Sequence, residues 1–526
     1  MAPMKLVNKI FGGGEEKMEE KTTKINPGKN TKIENIKETK EIVIEPVTRL
    51  EGHAKIDIFL NDEGNVENAY FQVVELRGFE QFCKGRPVEE MPRIVPRICG
   101  VCPGAHFVAS SKAVDAVFNV DPPEPAKKLR ELYYCGHYLH SHIAHFYALG
   151  APDFIVGPSA PPMERNIIGV INKVGVEIGR KVIEARAQAQ KIQEIIGGRA
   201  THSINFLPGG IAKGITDEEQ KEIEGMAKNL VEFGKFSLQI FEDVVLKNKE
   251  YVDLITGDVY QHRTNYMGLV DDNNKINFYE GKVRVVSPDG KEILKFEGKD
   301  YLEHIAEHVE PWSYLKFPYL KKIGWKGFVD GLDSGIYRVA PLARLNVADG
   351  MATPIAQEAY EKFYETLGGK PVHATLSYHW ARVIEIMYAA ERILELIQDA
   401  DITSNDFRTI PTDTPSEGIG VVEAPRGTLY HHYQTDEDGI LQKVNIIVAT
   451  GNNNAGICMS VKRAAEKLIQ NWKVDQGILN MVEMAFRAYD PCFACATHTL
   501  PGHMPMEVRI FDNSGNLYKK FSRFEK

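Results

Sequence analysis

The chain has 526 residues, of which 43% are apolar, and a formal net charge of −9. Its acidic balance, with no basic stripe, argues against a nucleic-acid partner, and no apolar run reaches the roughly 18 residues that a membrane-spanning helix needs. Seven cysteines, an odd number in a long chain, do not suit a secreted disulfide framework. The first residues also lack the apolar segment of a secretory signal. We therefore expect a cytoplasmic protein whose cysteines are reduced.

The first part of the chain divides into a charged segment and a β-rich segment. Residues 1–38 are rich in lysine and glutamate and poor in large apolar residues, which predicts a disordered tail. Residues 41–60 and 65–75 carry strand-forming residues, and the Asn-Asp-Glu-Gly sequence at 61–64 predicts a hairpin turn between them.

Most of the remaining chain has helical periodicity. Thr216 and Glu219 form the sequence pattern of a capping box, which predicts a helix start. A hairpin is expected at 283–296, around a Pro-Asp-Gly turn, and further strands flank 436–439. Helices are predicted at 124–149, 163–196, 216–248, 354–367, 377–400 and 460–488.

These elements predict a mainly α protein with β-rich ends, an α+β fold with a core of long helices. We expect residues 39–498 to form a single domain, with a β-rich insert at about 251–345. Residues 499–526 follow as a C-terminal extension, in which 504–521 have strand–turn–strand character.

Four of the seven cysteines form two Cys-x-x-Cys pairs, Cys99 with Cys102 and Cys492 with Cys495. Thiolates are soft ligands that suit zinc, iron or other late transition metals. A structural zinc site usually places its two pairs about 15–20 residues apart, whereas Cys99 and Cys492 are 393 positions apart. This spacing favours a catalytic metal centre, although a structural zinc site and a redox dithiol stay open on spacing alone.

The residues around the two pairs carry a resemblance to a known family. The motifs Arg-x-Cys-Gly-x-Cys-x-x-x-His at 97–106 and Asp-Pro-Cys-x-x-Cys-x-x-His at 490–498 resemble those of the large subunit of nickel–iron hydrogenases. Within that family the chain most resembles the cytoplasmic, multi-subunit type that does not reduce deazaflavin and is associated with heterodisulfide reductase. Further matching segments are 45–53, 76–80, 145–154, 423–427 and 448–453.

The resemblance implies the hydrogenase large-subunit fold and a nickel–iron site. All four cysteines would hold nickel, with Cys99 and Cys492 as terminal ligands. Cys102 and Cys495 would bridge to an iron that carries carbon monoxide and cyanide. The implied reaction is the reversible heterolytic cleavage of dihydrogen to protons and electrons, in which the thiolate of Cys492 takes a proton.

The resemblance also assigns polar residues around the metals. Arg426 would overhang them and hydrogen-bond a cyanide, with Asp153 and Asp490 as its acidic neighbours. Thr450 would donate to the other cyanide. Without the Ala-Pro-Arg-Gly setting at 424–427, the simpler interpretation of Arg426 is an ordinary salt-bridged arginine.

Proton transfer and a second metal site follow from the same resemblance. Glu51 would accept the proton from the terminal cysteine, although from sequence alone it is more simply a surface glutamate at a strand end. Glu80 and His498 would bind magnesium (or iron), and His106 would hydrogen-bond a bridging thiolate.

The other histidines and cysteines have simpler interpretations. His137, His140, His142 and His145 fall on one predicted helix without the spacing of a zinc hydrolase, so we expect them to make packing and polar contacts. Three cysteines lie outside the two pairs: Cys83, Cys135 and Cys458. Isolated cysteines usually behave as small apolar groups, and we expect the same here.

Three isolated cysteines are too few for a four-cysteine iron–sulfur cluster, so electrons must leave to another chain. The resemblance supplies an iron–sulfur small subunit and further electron-transfer subunits. It also implies a nickel chaperone and a maturation protease that removes 499–526 after His498. The alternatives are a membrane-linked energy-converting hydrogenase subunit, a relative of the quinone-pocket subunit of respiratory complex I, which lacks the four cysteines, and a zinc-stabilised scaffold.

Overall fold

The computed structural model describes residues 41–73, 75–497, 507–511 and 517–522. The predicted tail at 1–38 lies outside these residues, as do His498 and most of the C-terminal extension.

The described part of the chain starts with a three-stranded antiparallel sheet. The predicted turn at 61–64 joins its second and third strands, which confirms that hairpin. Between the first two strands, the segment 45–53 leaves the sheet, with positive φ angles at Arg49 (57°) and Gly52 (89°). A Cβ atom on Gly52 would lie 2.8 Å from the backbone nitrogen of Ala494, so only glycine permits this close approach. The strands are β1 (Glu41–Ile44), β2 (Ala54–Leu60) and β3 (Val66–Val73).

The next helices lead to and from the first cysteine pair. Two short helices, α1 (Phe79–Cys83) and α2 (Met91–Ile94), precede Cys99. Helix α3 (Pro103–Val117) begins with a proline in its first turn, where no backbone hydrogen bond is lost. Helix α4 (Glu124–Ala144) continues into wider π-helical turns, so the predicted helix at 124–149 ends in an irregular segment.

The predicted single helix at 163–196 is wrong. Two helices occupy this stretch, α5 (Ile167–Val174) and α6 (Val176–Gly197), and Gly175 separates them with a φ of 91°. By contrast, the capping box is confirmed at the start of α7 (Asp217–Phe241), where the Glu219 nitrogen donates to Thr216 Oγ1 at 3.2 Å.

The middle of the chain contains a mixed four-stranded sheet and two hairpins. The predicted hairpin at 283–296 is confirmed by antiparallel pairing of β7 with β8. In chain order around and after α7, the elements are β4 (Phe206–Leu207), β5 (Gly210–Ile211), α8 (Lys249–Thr256), β6 (Asn265–Val270), β7 (Lys282–Val286), β8 (Glu292–Phe296), α9 (Tyr301–His304), β9 (Ile305–Val309), β10 (Lys316–Leu320) and β11 (Tyr337–Arg338).

The last third of the chain returns to helices around an antiparallel sheet. The helices predicted at 354–367 and 377–400 are confirmed, and so are the strands that flank 436–439. The helix predicted at 460–488 is wrong as a single element, because residues 469–475 interrupt it. The elements are α10 (Ala340–Val347), α11 (Pro354–Leu367), α12 (Tyr378–Ile397), β12 (Glu417–Ala424), β13 (Gly427–Thr435), β14 (Leu441–Ile447), α13 (Asn454–Leu468), α14 (Gln476–Arg487), α15 (Phe493–Ala496), β15 (Glu507–Phe511) and β16 (Leu517–Ser522).

The described part of the chain is therefore a mixed α/β structure. Helix α4 contacts both α6 and α12, α7 contacts α12, and α3 packs against β12 and β13. Strands are present in the N-terminal, middle and C-terminal regions, and β15 pairs with β16 as the extension's sequence predicts. Of the helices in the described ranges, none has the length and apolar character needed to cross a bilayer.

Candidate metal centre

The four cysteines lie in or next to short turns and helix starts that converge in the fold. Cys99 ends a short 3₁₀ turn, Cys102 immediately precedes α3, Cys492 forms an isolated β-bridge with Glu51, and Cys495 lies in α15. All four Sγ atoms lie within 4.8 Å of one another, and the four residues are buried. The prediction that the two distant pairs converge is confirmed.

The sulfur atoms fit a soft metal centre. Cys99 Sγ lies 3.0 Å from Cys492 Sγ, Cys102 Sγ lies 3.3 Å from Cys495 Sγ, and the sulfurs of Cys492 and Cys495 are 2.9 Å apart. Two backbone N–H groups, at Val101 and Cys102, also donate to Cys99 Sγ, which favours its thiolate form. Buried thiolates need positive charge nearby, so this cluster suits bound metal.

A small cavity adjoins one side of the sulfur cluster. Cys102, Cys492 and Cys495 line it, and the rest of the lining combines apolar side chains with three hydrogen-bonding groups, His106, Arg426 and Thr450. Thr450 Oγ1 accepts a hydrogen bond from the Cys492 nitrogen at 3.1 Å, which leaves the hydroxyl hydrogen for another acceptor. The apolar lining consists of Ala105, Ala424, Pro425, Leu429, Val448 and Ala449.

Arg426 supplies the positive charge at this cavity. It lies in the short turn between β12 and β13 and is only 3% exposed. Its Nε donates to the Asp490 carbonyl oxygen at 2.7 Å, and its Nη2 donates to Asp490 Oδ1 at 2.8 Å. Burial opposes the charge, but Asp490 and the thiolates raise the pKa of Arg426 above its ordinary value. The guanidinium is therefore a permanent cation beside the sulfurs.

Of the two predicted acidic neighbours of Arg426, Asp490 makes the direct contact. Asp153 does not pair with Arg426; its carboxylate accepts from Arg49 Nη2 at 2.5 Å and from Arg487 Nη1 at 2.7 Å. The position near Arg426 is taken by Ser141, whose Oγ accepts from Arg426 Nη1 at 3.2 Å. The sequence does not predict Ser141 as a site residue, because a serine within a helix has no distinctive motif around it.

Asp490 is buried and adopts a positive φ of 57°. Burial raises the pKa of its carboxyl, although Arg426 and Arg382 oppose this shift. Its Oδ1 also lies 3.8 Å from His145 Nε2. Asp490 therefore orients Arg426 through both its backbone and its side chain.

Glu51, from the N-terminal part of the chain, contacts the sulfur cluster directly. The Cys492 thiol donates to Glu51 Oε2 at 3.0 Å, and the Ala494 nitrogen donates to the same oxygen at 3.2 Å. Burial and the negative charge of Cys99 raise the pKa of Glu51 above its ordinary value. Because the side chain is half-buried, it can exchange a proton with the sulfur and still lie near solvent.

His106 lies beside the cavity, one turn into α3. Its Nδ1 is 3.0 Å from His431 Nε2. Burial lowers the pKa of His106 to about 4, so the ring is neutral at neutral pH. Its predicted hydrogen bond to a bridging thiolate stays a prediction.

Glu80 is completely buried, and its Oε1 accepts a hydrogen bond from the Ile446 nitrogen at 2.8 Å. Burial raises the pKa of Glu80 to about 7, and Lys316 opposes the shift. Its predicted partner in metal binding, His498, lies outside the described residues.

Three of the four histidines at 137–145 make the polar and packing contacts expected of them. His142 Nε2 is 2.8 Å from Glu385 Oε2, His145 Nε2 is 2.9 Å from the Arg487 carbonyl oxygen, and the buried His137 ring stacks on Tyr134. The isolated cysteines are all buried, as expected of small apolar groups: Cys83, Cys135 and Cys458.

Comparison with known proteins yields consistent matches. A sequence model of the nickel-dependent hydrogenases matches residues 77–165 and 180–498, and one described as HoxL-like matches residues 41–76. An F420-non-reducing hydrogenase iron-sulfur subunit of Archaeoglobus profundus is 52% identical over 92% of this chain and 100% of its own length. The NAD-reducing hydrogenase HoxS subunit beta of Cupriavidus necator is 37% identical, with coverage of 92% and 100%.

Solved structures agree with the sequence relatives. The crystal structure of an NAD+-reducing [NiFe]-hydrogenase in the H2-reduced state superposes with a TM-score of 0.82 and 37% identity. The match covers 88% of this chain and 100% of that chain.

Proposed function

This chain belongs to the nickel-dependent hydrogenase family as a large subunit, and on that premise we propose how its residues take part in the cleavage of dihydrogen. The protein is an oxidoreductase that acts on dihydrogen. The observation that carries the assignment is the convergence of four buried cysteine sulfurs from opposite ends of the chain. The comparisons favour neither the complex I relative nor the energy-converting hydrogenase.

The four thiolates divide into two roles in this proposal. All four would hold nickel, Cys99 and Cys492 would serve nickel alone, and Cys102 and Cys495 would also hold an iron that carries carbon monoxide and cyanide. The support is the buried cluster of four sulfurs, together with a small cavity at Cys102, Cys492 and Cys495 that the donors Arg426 and Thr450 also line. When bound, the two metals supply a redox centre at which dihydrogen is split into protons and electrons.

The proton leaves through the protein. Cys492 Sγ receives it and passes it to Glu51 Oε2, 3.0 Å away. A carboxyl group works best as a proton relay when its pKa lies close to the working pH, and the raised pKa of Glu51 shifts it in that direction. Glu51 is half-buried, so its carboxyl releases the proton towards solvent.

Arg426 offsets the negative charge of the thiolates and cyanides. Its fixed fork of donors is held by Asp490 and Ser141, so one edge is turned towards the cavity. We assign no catalytic role to Asp153, because its contacts belong to Arg49 and Arg487.

A second metal ion, magnesium or iron, is proposed at Glu80 with His498. A fully buried carboxyl with a pKa near 7 gains from a cation that compensates its charge. Carboxylate oxygen is a ligand that magnesium prefers.

Electrons leave through partner chains. The proposed partners are an iron–sulfur small subunit and further electron-transfer subunits, as the multi-subunit names of the relatives suggest. The 52% identity to a subunit of an F420-non-reducing hydrogenase supports placement in that group. Seven cysteines free of disulfides among the described residues support a cytoplasmic location. A nickel chaperone and a protease that removes 499–526 would complete maturation.

One set of measurements on the purified complex tests the function. We expect nickel and iron in the preparation, infrared bands of bound carbon monoxide and cyanide, dye-linked oxidation of dihydrogen, and an intact mass that ends at His498. Cys492→Ser should lose nickel and activity together, whereas Cys458→Ser, a change at a buried cysteine outside the cluster, should keep both. Zinc without nickel would contradict the assignment, and a mass that ends at Lys526 in active enzyme would contradict the processing.

A further inference from the structure

A buried carboxylate, Glu483, joins the loop that carries Glu51 to the helix that leads to Cys492. It lies in α14 and is 6% exposed. Its Oε1 accepts a hydrogen bond from the Thr48 nitrogen at 2.9 Å, and its Oε2 accepts one from Thr48 Oγ1 at 2.8 Å. Thr48 stands three residues before Glu51, and Glu483 stands nine residues before Cys492. The contact therefore connects the two segments that meet at the proposed site of proton transfer.

The Glu483 carboxylate is held in turn by Arg487, one turn further along α14. Arg487 Nη2 donates to Glu483 Oε2 at 2.8 Å, and Arg487 Nη1 donates to Asp153 Oδ2 at 2.7 Å. The other oxygen of Asp153 accepts from Arg49 Nη2 at 2.5 Å, and Arg49 directly follows Thr48 in the loop. Two carboxylates and two guanidinium groups thus alternate between the loop and the helix. Because their charges balance, the cluster can be largely buried.

The loop needs such anchoring. Arg49 adopts a φ of 57°, a conformation that costs energy in a residue with a side chain. At Glu51 itself, the nitrogen donates to the Pro491 carbonyl oxygen at a long 3.4 Å, and the Glu51 carbonyl oxygen accepts from the Phe493 nitrogen at 3.0 Å. These backbone contacts hold the loop on the C-terminal side of Arg49, and the contacts of Glu483 hold it on the N-terminal side.

The distance from Glu51 to the sulfur matters for the proton. Glu51 Oε2 lies 3.0 Å from Cys492 Sγ, which is a hydrogen-bond distance. Displacement of a reacting group by about 1 Å can lower a rate about 100-fold, even when the substitution that causes it is remote. A loop released from Glu483 would let the Glu51 carboxyl move away from the sulfur.

We propose that Glu483 is a positioning residue for proton exit, which holds the Glu51 carboxyl within hydrogen-bond distance of Cys492 Sγ through its contacts with Thr48. The inference rests on the proposed function, since it requires Glu51 to be the proton acceptor. Glu483 takes no proton from the thiol in this role and acts only through the loop.

Glu483→Gln tests the role in the purified complex. Glutamine keeps the length of the side chain, but its amide nitrogen cannot accept a hydrogen bond, so one contact with Thr48 is lost along with the charge that binds Arg487. The readout is the rate of isotope exchange between dihydrogen and water divided by the rate of para- to ortho-hydrogen conversion. Only the exchange requires the proton to leave. We expect native nickel and iron content and a ratio that is lower by about tenfold or more.

The solvent isotope effect on turnover is a second readout. It should rise in Glu483→Gln, because transfer of the proton to a displaced Glu51 becomes the slow step. Neither the exchange ratio nor the isotope effect depends on the fraction of active enzyme. A loss of folded protein alone would therefore leave both quantities unchanged.

Two substitutions of Thr48 test the other end of the contact. Thr48→Val keeps the shape of the side chain and removes the hydroxyl, whereas Thr48→Ser keeps the hydroxyl. The exchange ratio should fall in the valine variant and stay at its original value in the serine variant. Both changes leave α14 untouched, so they carry the test if Glu483→Gln does not load metal.

Glu391→Gln is the matched control. The Glu391 carboxylate, in α12, makes contacts of the same kind: it accepts from Thr353 Oγ1 at 2.7 Å and from the nitrogens of Ile355 and Ala356, both at 2.9 Å. It thereby holds the start of α11 and not the loop that carries Glu51. The exchange ratio and the solvent isotope effect of this variant should equal those of the unsubstituted enzyme.

The outcomes separate the positioning role from the function on which it rests. If Glu51→Gln abolishes exchange but Glu483→Gln leaves the ratio unchanged with native metal content, the positioning role alone is overturned. An unchanged ratio in Thr48→Val, or an equal fall in Glu391→Gln, also overturns it. Normal exchange in Glu51→Gln would remove Glu51 as the proton acceptor, and the inference would fall together with that part of the proposed function.

Discussion

Glu51 is the residue whose position in the fold most directly suggests its chemistry. It stands in a loop between β1 and β2, held by the glycine that follows it, and its Oε2 accepts from both the Cys492 thiol and the Ala494 nitrogen. A glutamine at this position would preserve the size of the side chain and an oxygen for the Ala494 nitrogen. It could not accept and release a proton near neutral pH, so the substitution isolates proton transfer from structure.

Glu51→Gln should therefore keep nickel and iron while turnover with a dye acceptor falls by about 100-fold or more. Conversion of para- to ortho-hydrogen should survive, because it needs only reversible cleavage at the site. Exchange of isotope with water should fail, because the proton no longer leaves. Glu63→Gln, on the exposed turn between β2 and β3, is the control and should behave as the unsubstituted enzyme. Normal turnover in Glu51→Gln would exclude this residue as the relay.

For single residues, the sequence predicts the cysteine ligands far better than the residues around them. The cysteine motifs have fixed local spacing, and Arg426 stands in a distinctive tetrapeptide, so both are visible in the chain. The partners of Arg426 are set by packing across 64 positions for Asp490 and 285 for Ser141. Asp153 was the plausible carboxylate in sequence, but two other arginines, Arg49 and Arg487, bind it instead.

Among the elements, the break between α5 and α6 is the clearest departure from periodicity. The apolar pattern continues through Gly175, so a single helix is the natural interpretation of the sequence. The segment 166–179 also lies between the two stretches that match the family, so the resemblance gives no guidance there. Gly175, with its φ of 91° and ψ of 155°, adopts a conformation that other residues rarely enter.

Gly175→Ala should lower the free energy of unfolding by about 1–3 kcal/mol through backbone strain alone, because no atom lies within 4 Å of the added Cβ. Gly225→Ala is the matched control. Gly225 is exposed within α7, and its added Cβ also meets nothing within 4 Å, so the change should stabilise the protein by about 0.5–1 kcal/mol. Denaturant titration of both variants measures the sign of the change in unfolding free energy. Equal changes in the two variants would mean that alanine at position 175 causes no backbone strain.

The interruption between α13 and α14 has a different cause. Asn471 and Trp472 adopt positive φ angles of 52° and 63°, and the Trp472 nitrogen donates to the Gly64 carbonyl oxygen at 3.0 Å. A Cβ on Gly64 would lie 2.3 Å from the Trp472 ring, so the indole sits directly on the first hairpin. Local pattern cannot reveal a break that is imposed by a turn some 400 positions earlier. The Asp475 side chain, which accepts from the Ile478 nitrogen, is the one local sign of the new helix.

Across the whole molecule, buried histidine rings contribute to the loss of stability in acid. Burial lowers the pKa of His137, His142 and His379 to about 3. In the unfolded chain these rings take up protons below about pH 6.5. Unfolding therefore binds protons between pH 6.5 and 3, so the free energy of unfolding falls as the pH is lowered through this window. Each ring contributes about 1.4 kcal/mol per pH unit. Buried carboxyls with raised pKa, such as Glu80 at about 7, act in the opposite sense.

Replacement of a single histidine isolates its share of the pH dependence of the unfolding free energy. His137→Gln should reduce the dependence of unfolding free energy on pH by about one proton between pH 6 and 4, as measured by urea titrations at several pH values. His53→Gln, a change at a largely exposed imidazole, is the control. An unaltered slope in His137→Gln would show that the ring is protonated in the folded protein.

The bridge between Glu51 and Cys492 has a consequence for biosynthesis. A ribosome that has just translated the first Cys-x-x-Cys pair still has almost four hundred codons to read before the second pair emerges. A nascent polypeptide can fold much of its helical interior in that interval, but it offers nickel only half of the ligand set. The complete set of four sulfurs therefore exists only after nearly the whole chain has been synthesised.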